Sequence, residues 1–443
     1  MDEISTFCKK IKDIIGNKSL VDINNARVLI KEINDFLYTN YPNIGYTTTL
    51  GNTFEYLSDF HKYWENHHAE ILDCKIIDEK CEQVANRLHE VFVLTNGSAF
   101  SFVYDTCGLS PQEVCRIRFM TANQDFGTSL KFDEIAEVYN SDNSIFDEQV
   151  VYNNPSEFLS KLGINDLSQN DKRILYAQNI AKFLIDLNCS PFDLISKYNN
   201  DINALRNAIL SYNGSGYGNK KTDMFLRDMF VLGVWSNVRG FENIDVASDV
   251  NTIKVALRTG IVSTEIPLVS SFLDIFCHQY EYIDKMNANA WRRVWEIWKY
   301  KYPSESIPSP CLMDYFIYNV VGKQFCLENL YIFRCETGKH TFKWHSPRNK
   351  TCQCCYSNGV TGIKAELVDK VMPCSDKEGN IAIRNTKYVK SLPDSMKFPS
   401  CPFVDICGEN RTLMPPKSIS ILGRTGWTTA YTKKGNGGGG LMS

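Results

Sequence analysis

Residues Gly214-Ser215-Gly216-Tyr217-Gly218-Asn219-Lys220-Lys221-Thr222-Asp223-Met224-Phe225-Leu226 decide how this chain is read. Ile202, Leu205, Ala208, Ile209 and Leu210 recur at helical spacing before the glycines. Met224, Phe225, Leu226, Met229 and Phe230 do so after them, which predicts helix, tight turn, helix. Gly214, Gly216 and Gly218 carry no side chain and reach positive φ without strain, so backbone amides at the turn and at the next helix start can touch a phosphate. Such contacts grip a strand without reading its sequence. Asn219 and Lys221 join this gripping set. Lys220 is expected at the positive end of the second helix beside Lys221, and both neighbours disfavour its charged form, as a neutral amine nucleophile requires.

Asp249-Val250-Asn251-Thr252-Ile253-Lys254-Val255 then sets a carboxylate before another amphipathic run. Taken singly, Asp249 reads as a helix N-cap and Lys220 as a solvated surface lysine. In this order they resemble the helix-hairpin-helix DNA glycosylase superfamily, which includes endonuclease III, the adenine glycosylases and the 8-oxoguanine glycosylases. Gly216-Tyr217-Gly218-Asn219-Lys220 matches the family's Gly-x-Gly-x-Lys turn, and Asp249-Val250-Asn251 resembles its Asp-x-Asn segment. The resemblance implies a mainly α fold, with a two-lobed helix-hairpin-helix core and a cleft between the lobes. It implies that Asp249 supports loss of a base, that Asn251 lies on the DNA, and that Lys220 attacks the sugar C1′ in a bifunctional enzyme. Lysine and aspartate stand 29 positions apart, more than in most of the family. The inserted residues Gly233 to Asn243 are therefore expected to bulge out as a loop, and Asp245 competes with Asp249 for the role.

Two segments have other candidate roles. Asn123, Gln124 and Asp125 lie in a helix-to-loop transition rich in aromatics, a composition suited to reading the edge of a flipped base or merely to a capped turn. Trp291, Trp295 and Trp298 fall on one helical face and read as a buried stripe rather than a stacking platform.

The sixteen cysteines, with no export signal, point to metal ligands or buried thiols rather than disulfides. Eight of them crowd the 82 positions from Cys326 to Cys407. Cys335, His340, Cys352 and Cys355 resemble a zinc ribbon closing a tetrahedral site. Cys326, Cys374, Cys401 and Cys407 then remain for a second centre. Many relatives in the superfamily carry a 4Fe-4S cluster after the catalytic domain, and Cys401-Pro402-Phe403-Val404-Asp405-Ile406-Cys407 resembles the last pair of its ligands. Spacing alone leaves zinc and iron-sulfur open. The expected cofactor is thus a structural metal, zinc and/or a 4Fe-4S cluster, with no soluble cofactor.

Charge is divided unevenly. The net charge of −3 conceals 17 Lys and Arg against 8 Asp and Glu from Tyr331 onward, and 31 against 43 before it. A basic C-terminal part suits an electrostatic grip on phosphates, or is simply a solvated surface. No apolar run approaches the ~20 residues of a membrane span, so no membrane partner is expected. The expected organisation is a mostly helical accessory region with a few strands at 1–154, a glycosylase core at 155–330, and a basic Cys-rich extension with a glycine-rich tail at 331–443. Strand-like composition is expected at Val91-Phe92-Val93-Leu94 and from Phe100 to Tyr104, and amphipathic helices at Phe7 to Ile15 and Ala26 to Leu37.

The function expected is that of a cytoplasmic, monomeric DNA glycosylase, with DNA as partner. Its substrate is either an oxidised purine or a bulky phage-type pyrimidine such as glucosylated hydroxymethylcytosine, the target of a divergent antiviral-defence branch that this chain's large additions resemble. A nucleoside or nucleotide N-glycosidase resembling the queuosine-salvage enzymes, and a non-catalytic zinc-organised binding module, stay open.

Overall fold

The computed structural model describes residues 3–15, 69–126, 130–264, 281–325, 330–338, 341–344, 350–371 and 401–407. Residues 71, 102, 166, 168 and 358 are excepted, and short pieces at 21–22, 46–47, 53–54 and 380–381 and the single residues 32, 36 and 398 are added. The described part is mainly helical. The helices that matter below are α1 (Glu3–Ile15), α2 (Asp78–Thr95), α3 (Pro111–Thr121), α4 (Asn170–Leu187), α5 (Ile202–Ser211), α6 (Asn219–Val231), α7 (Val250–Thr259), α8 (Glu281–Lys301) and the single turn α9 (Val404–Cys407). Among the described residues, no helix is long and apolar enough to cross a membrane.

The chain forms two compact units, and neither follows the simple succession of segments expected from sequence. One gathers residues 1–95, 248–306 and 316–443; the other holds 96–247 and 307–315. The chain therefore leaves the first unit after α2, builds the second, and returns just before α7.

In the second unit, α3 starts with Ser110 as N-cap, Glu113 closing a capping box and Pro111 in the first turn. It buries Phe119 in an aromatic core with Phe183 of α4, Tyr217 and Phe225, and Phe225 meets Trp235 edge-on at 5.5 Å. Aromatic pairs at these spacings add to area burial. The insertion Gly233–Asn243 does not bulge. Trp235 is buried and donates through Nε1 to Phe192 O at 2.9 Å, and Phe241 is buried and stacks on Phe230 at 3.7 Å. Arg239 N also donates to Asn200 O at 2.7 Å. Two large aromatics gain more by burial than a solvated loop offers, so the insertion packs down as part of the core.

The first unit is built on α2 and α8. Trp291, Trp295 and Trp298 are all buried along α8, as a core stripe should be. Trp298 meets Phe92 of α2 edge-on at 5.8 Å, and Arg293 pairs with Asp78 through two 2.9 Å bonds. The strand reading of Val91 to Leu94 is corrected: these residues end α2. Cys81, Val84, Leu88 and Val91 are buried at helical spacing, and that packing overrides the β preference of four residues. The Phe100–Tyr104 segment forms no strand among its described residues, beginning instead in a 3₁₀ turn at Ser98–Phe100. Helix α1 covers the expected Phe7 to Ile15 run, whereas nearly all of the Ala26 to Leu37 segment lies outside the described residues.

Sheet is concentrated late in the chain. Strands β1 (Leu330–Cys335), β2 (Thr341–Trp344) and β3 (Ala365–Val371) form an antiparallel sheet in the order β2-β1-β3. Phe333 pairs with Phe342 on one side and Leu367 on the other.

Candidate functional site

The hairpin forms as helix, glycine turn, helix. Asp201 caps α5 by accepting from Asn203 N at 2.9 Å and Ala204 N at 3.2 Å, and Ile202, Leu205 and Ile209 are buried below. Gly214 and Gly216 stand at φ of 73° and 75°, in the left-handed region. A Cβ on Gly216 would lie 2.5 Å from the Tyr176 ring, so only hydrogen fits there. The underside of the turn is clamped. Asn123 donates to Ser215 O at 2.9 Å and Asn179 to Gly214 O at 2.9 Å. Tyr217, buried, donates its hydroxyl to Phe119 O at 2.7 Å.

The other side of the turn is open. Gly218, Asn219 and Lys220 are exposed, and Gly218 is the N-cap of α6 without a side chain to satisfy the first amides. These exposed groups lie together at the positive end of the helix. Asn219 is partly committed, because its Oδ1 accepts from Arg206 at 3.1 Å while Arg206 holds Asp223.

The two lysines differ sharply. Lys220 projects from the exposed side. Lys221 is half-buried, donates to Asn123 O at 2.7 Å and lies 4.7 Å from the centre of the Phe126 ring. Arg173 covers the same ring at 4.0 Å. Burial pushes the Lys221 amine down to about 8, with the positive charges of Lys220 and Arg173 pushing the same way and Asp125 opposing them. Lys221, one residue after the lysine expected to be neutral, is thus an amine that burial lowers.

Asn123 and Gln124 are interior struts. Besides Ser215 O, Asn123 Nδ2 reaches Tyr176 O at 3.0 Å, and Gln124 Nε2 reaches Arg173 O at 3.1 Å. Their other amide atoms, Asn123 Oδ1 and Gln124 Oε1, find no hydrogen-bond partner among the described residues. Asp125 alone of the three is exposed.

Asp249 belongs to the first unit, Lys220 and Lys221 to the second. Asp249 is the N-cap of α7 in a capping box with Thr252: its Oδ1 accepts from Asn251 N at 2.8 Å and Thr252 N at 2.9 Å. Asn251 Nδ2 lies 3.2 Å from Asp249 Oδ2. Behind it, Trp291 donates to Asn287, and Asn287 donates to Thr252 Oγ1 at 3.2 Å and to Ser248 Oγ at 2.8 Å. Gly322 of the π-helical segment Ile317–Phe325 lets that segment approach α7, since a Cβ there would come within 2.9 Å of Asn251 Cβ. Asp245 lies in the second unit, where its charge acts on Arg206 and Asp223. The residues named as rivals are therefore parts of different units.

Cys335, Cys352 and Cys355 converge, their sulfurs all within 4.8 Å of one another. Cys335 ends β1 at a turn closed by Gly338 N bonding to Cys335 O at 2.8 Å. Cys352 precedes a single helical turn, Gln353–Ser357, whose three-residue step brings Cys355 back to it. Cys355 N donates to Cys352 Sγ at 3.5 Å, and Cys335 Sγ lies 3.0 Å from Thr337 Oγ1. That hydroxyl lowers the Cys335 thiol, while burial raises that of Cys355. Cys335 and Cys355 stand 3.8 Å apart. A tetrahedron of sulfurs ~2.3 Å from zinc has edges of about 3.8 Å. The three sulfurs are close enough together to hold a metal ion. His340, Cys326 and Cys374 lie outside the described residues. Cys401 and Cys407 are buried around α9, which Arg87 of α2 ties down through Pro402 O and a two-bond pair with Asp405 at 2.7 and 3.0 Å.

Sequence reasoning missed the supports Tyr176, Asn179 and Arg173, which are remote in sequence and carry no motif. A scan against protein-family models finds no match, and a search of curated proteins finds none.

Proposed function

We propose that the chain is a DNA glycosylase of the helix-hairpin-helix kind, which grips a strand with its glycine turn and removes a modified base from a flipped nucleotide. The observation that carries this reading is the turn itself: clamped from beneath by Asn123, Asn179 and Tyr217, and presenting the uncapped start of α6 with Lys220 on its open side. Phosphate is the ligand such a surface suits. Asp249 supplies the carboxylate. Held by two backbone amides, it stays in one place while positive charge grows on the sugar as the N-glycosidic bond breaks. Water or a hairpin amine then takes C1′.

Cys335, Cys352 and Cys355 bind zinc, with His340 as the fourth ligand, and this metal is structural. Phe333, Cys335, Phe342 and Cys352 form the buried core of that sheet, with a few partly buried neighbours. So small a core needs a staple. Cys326, Cys374, Cys401 and Cys407 form the second centre. The protein acts as a cytoplasmic monomer on DNA, and its substrate is a bulky modified pyrimidine or an oxidised purine.

The test is mass spectrometry of bases released from a panel of oxidised and phage-modified DNAs. Release by the wild type, abolished in Asp249→Asn, supports the reading. Binding without release from any substrate would leave a zinc-organised binding module.

A further inference from the structure

Helices α2 and α8 of the first unit lie side by side and run the same way. Asp78 meets Arg293 through two 2.9 Å bonds, Glu82 meets Lys301 at 2.5 Å, and Asn86 accepts from the Tyr302 hydroxyl at 3.4 Å. Between the two helices runs an open groove of about 680 Å³, lined in part by Ile297 and Tyr300. The chemistry proposed above makes no use of it. We propose that this groove is the docking site of the chain's own dibasic segment, Lys433-Lys434, which it holds away from phosphate. The proposal does not depend on the glycosylase reading.

The groove carries an excess of negative charge. Asp78, Glu79, Glu82 and Glu296 line it, against Arg293 and Lys301. Both cations are already committed, to Asp78 and Glu82. Arg293 reaches Glu296 only at 3.7 Å, and Glu79 forms no ion pair among the described residues, its Oε1 accepting a 3.4 Å bond from Gln83. Lys299 is drawn aside over the Trp295 ring, 4.7 Å from its centre. Two exposed carboxylates, one on each helix, are thus left to attract a cation. Tyr300 stands beside them 89% exposed, offering an aromatic face to an ammonium or its aliphatic stem.

Such a groove repels phosphate and selects a basic ligand, and the chain carries one within reach. Its last described element, α9, is tied to α2 by the pair between Arg87 and Asp405. Arg87 lies about 12 Å along the helix from Glu79. Residues 408–443, outside the described part, hold five Lys and Arg against one Asp or Glu, and Lys433 and Lys434 are the adjacent pair among them. The 26 positions from Cys407 to Lys433 span up to about 86 Å when extended, so the tether has length to spare. In an extended segment neighbouring side chains point to opposite sides, which sends one lysine toward Glu79 on α2 and the other toward Glu296 on α8. Exposed ion pairs are weak singly, and the tether offsets this by keeping the segment at a high effective concentration.

The test uses the full chain. An equal mixture of ordinary and heavy-isotope protein is treated with a water-soluble carbodiimide, which joins a carboxylate to an amine only where the two touch, and its peptides are mapped. Links from Lys433 or Lys434 to Glu79 or Glu296 are expected within single chains, falling roughly tenfold at about 1 M salt. Tyr300→Ala keeps both carboxylates and should lower the yield about threefold. Timed trypsin cleavage after Lys434 gives a second readout: with Glu79→Gln and Glu296→Gln combined, both at exposed positions, the cut should come roughly fivefold faster than in wild type. Equal cleavage rates, or tail links scattered over acids elsewhere, overturn the proposal. Links between ordinary and heavy chains overturn it in favour of the tail of a second copy. An added Lys-Lys-Gly peptide that links to the groove while the chain's own tail does not overturns it in favour of a basic partner from outside.

Discussion

Gly216→Ala tests the hairpin most directly, because its cost can be worked from the turn. At φ 75° an alanine bears roughly 1–2 kcal/mol of left-handed strain. Its Cβ also falls 2.5 Å from Tyr176 Cδ2 and 2.7 Å from Cγ, well inside contact distance. Tyr176 is not free to retreat: its carbonyl accepts from Asn123, and its ring meets Phe126 edge-on at 5.8 Å. Relieving such an overlap in packed surroundings costs about 1–3 kcal/mol, and the stiffer unfolded chain returns roughly 0.4–1 kcal/mol. The net loss is about 3 kcal/mol. Gly218→Ala is the control, since Gly218 has negative φ and its Cβ meets nothing within 4 Å. It should shift stability by less than ~1 kcal/mol, the usual scale of an N-cap change from glycine. Gly214→Ala falls between them, because its Cβ strikes only the far end of the Asn179 side chain, at 2.6 Å. Urea unfolding followed by tryptophan fluorescence measures all three. Equal losses for Gly216→Ala and Gly218→Ala would refute the claim that the turn is clamped from beneath.

Other outcomes follow from the same geometry. The folded-state value of Lys221 lies below its ordinary 10.5, so between about pH 8 and 10.5 the unfolded chain holds the extra proton and stability rises with pH. Lys221→Met should remove about 2–3 kcal/mol of that rise, read as the difference between the two chains' urea midpoints across the window. Asp314→Ala strands the buried Arg227 guanidinium, which Asp314 and Asp228 now hold, and should cost about 3–5 kcal/mol in urea unfolding. Cys352→Ser, or chelation, should release one equivalent of zinc as measured by metal analysis and expose Phe333 and Phe342, now stacked at 5.6 Å, to added dye. Asp249→Asn keeps a good N-cap and should melt with the wild type while base release is lost; a drop in melting temperature to match Asp249→Ala would make the residue structural only.

What could be read from sequence was whatever rests on local spacing. The hairpin helices, the tryptophan face of α8 and the approach of Cys352 to Cys355 all follow from intervals of three and four residues. The position of the desolvated lysine did not, because Lys220 and Lys221 have the same chemistry. What separates them is Phe126, which lies 95 positions earlier than Lys221. The strand reading of Val91 to Leu94 failed for a related reason. Four β-prone residues outweighed the helical period of Cys81, Val84 and Leu88 only while their burial was unknown.

The insertion between lysine and aspartate was the main departure from the glycosylase pattern, and its structure changes what that departure means. A solvated loop of Gly233 to Asn243 would have left the two halves of the motif joined by a slack tether. Instead Trp235 and Phe241 bury themselves in the second unit, and Arg239 bonds to the residues that start α5, so the extra length is spent inside one unit. The chain then crosses to the other unit only between Ala247 and Ser248, one residue before the Asp249 cap. Asp245, four residues earlier, stays with Arg206 and Asp223. The count of 29 positions from Lys220 to Asp249 therefore has a structural content. It is the length of a packed segment followed by a short crossing, and of the two aspartates Asp249 alone begins a helix of the returning unit.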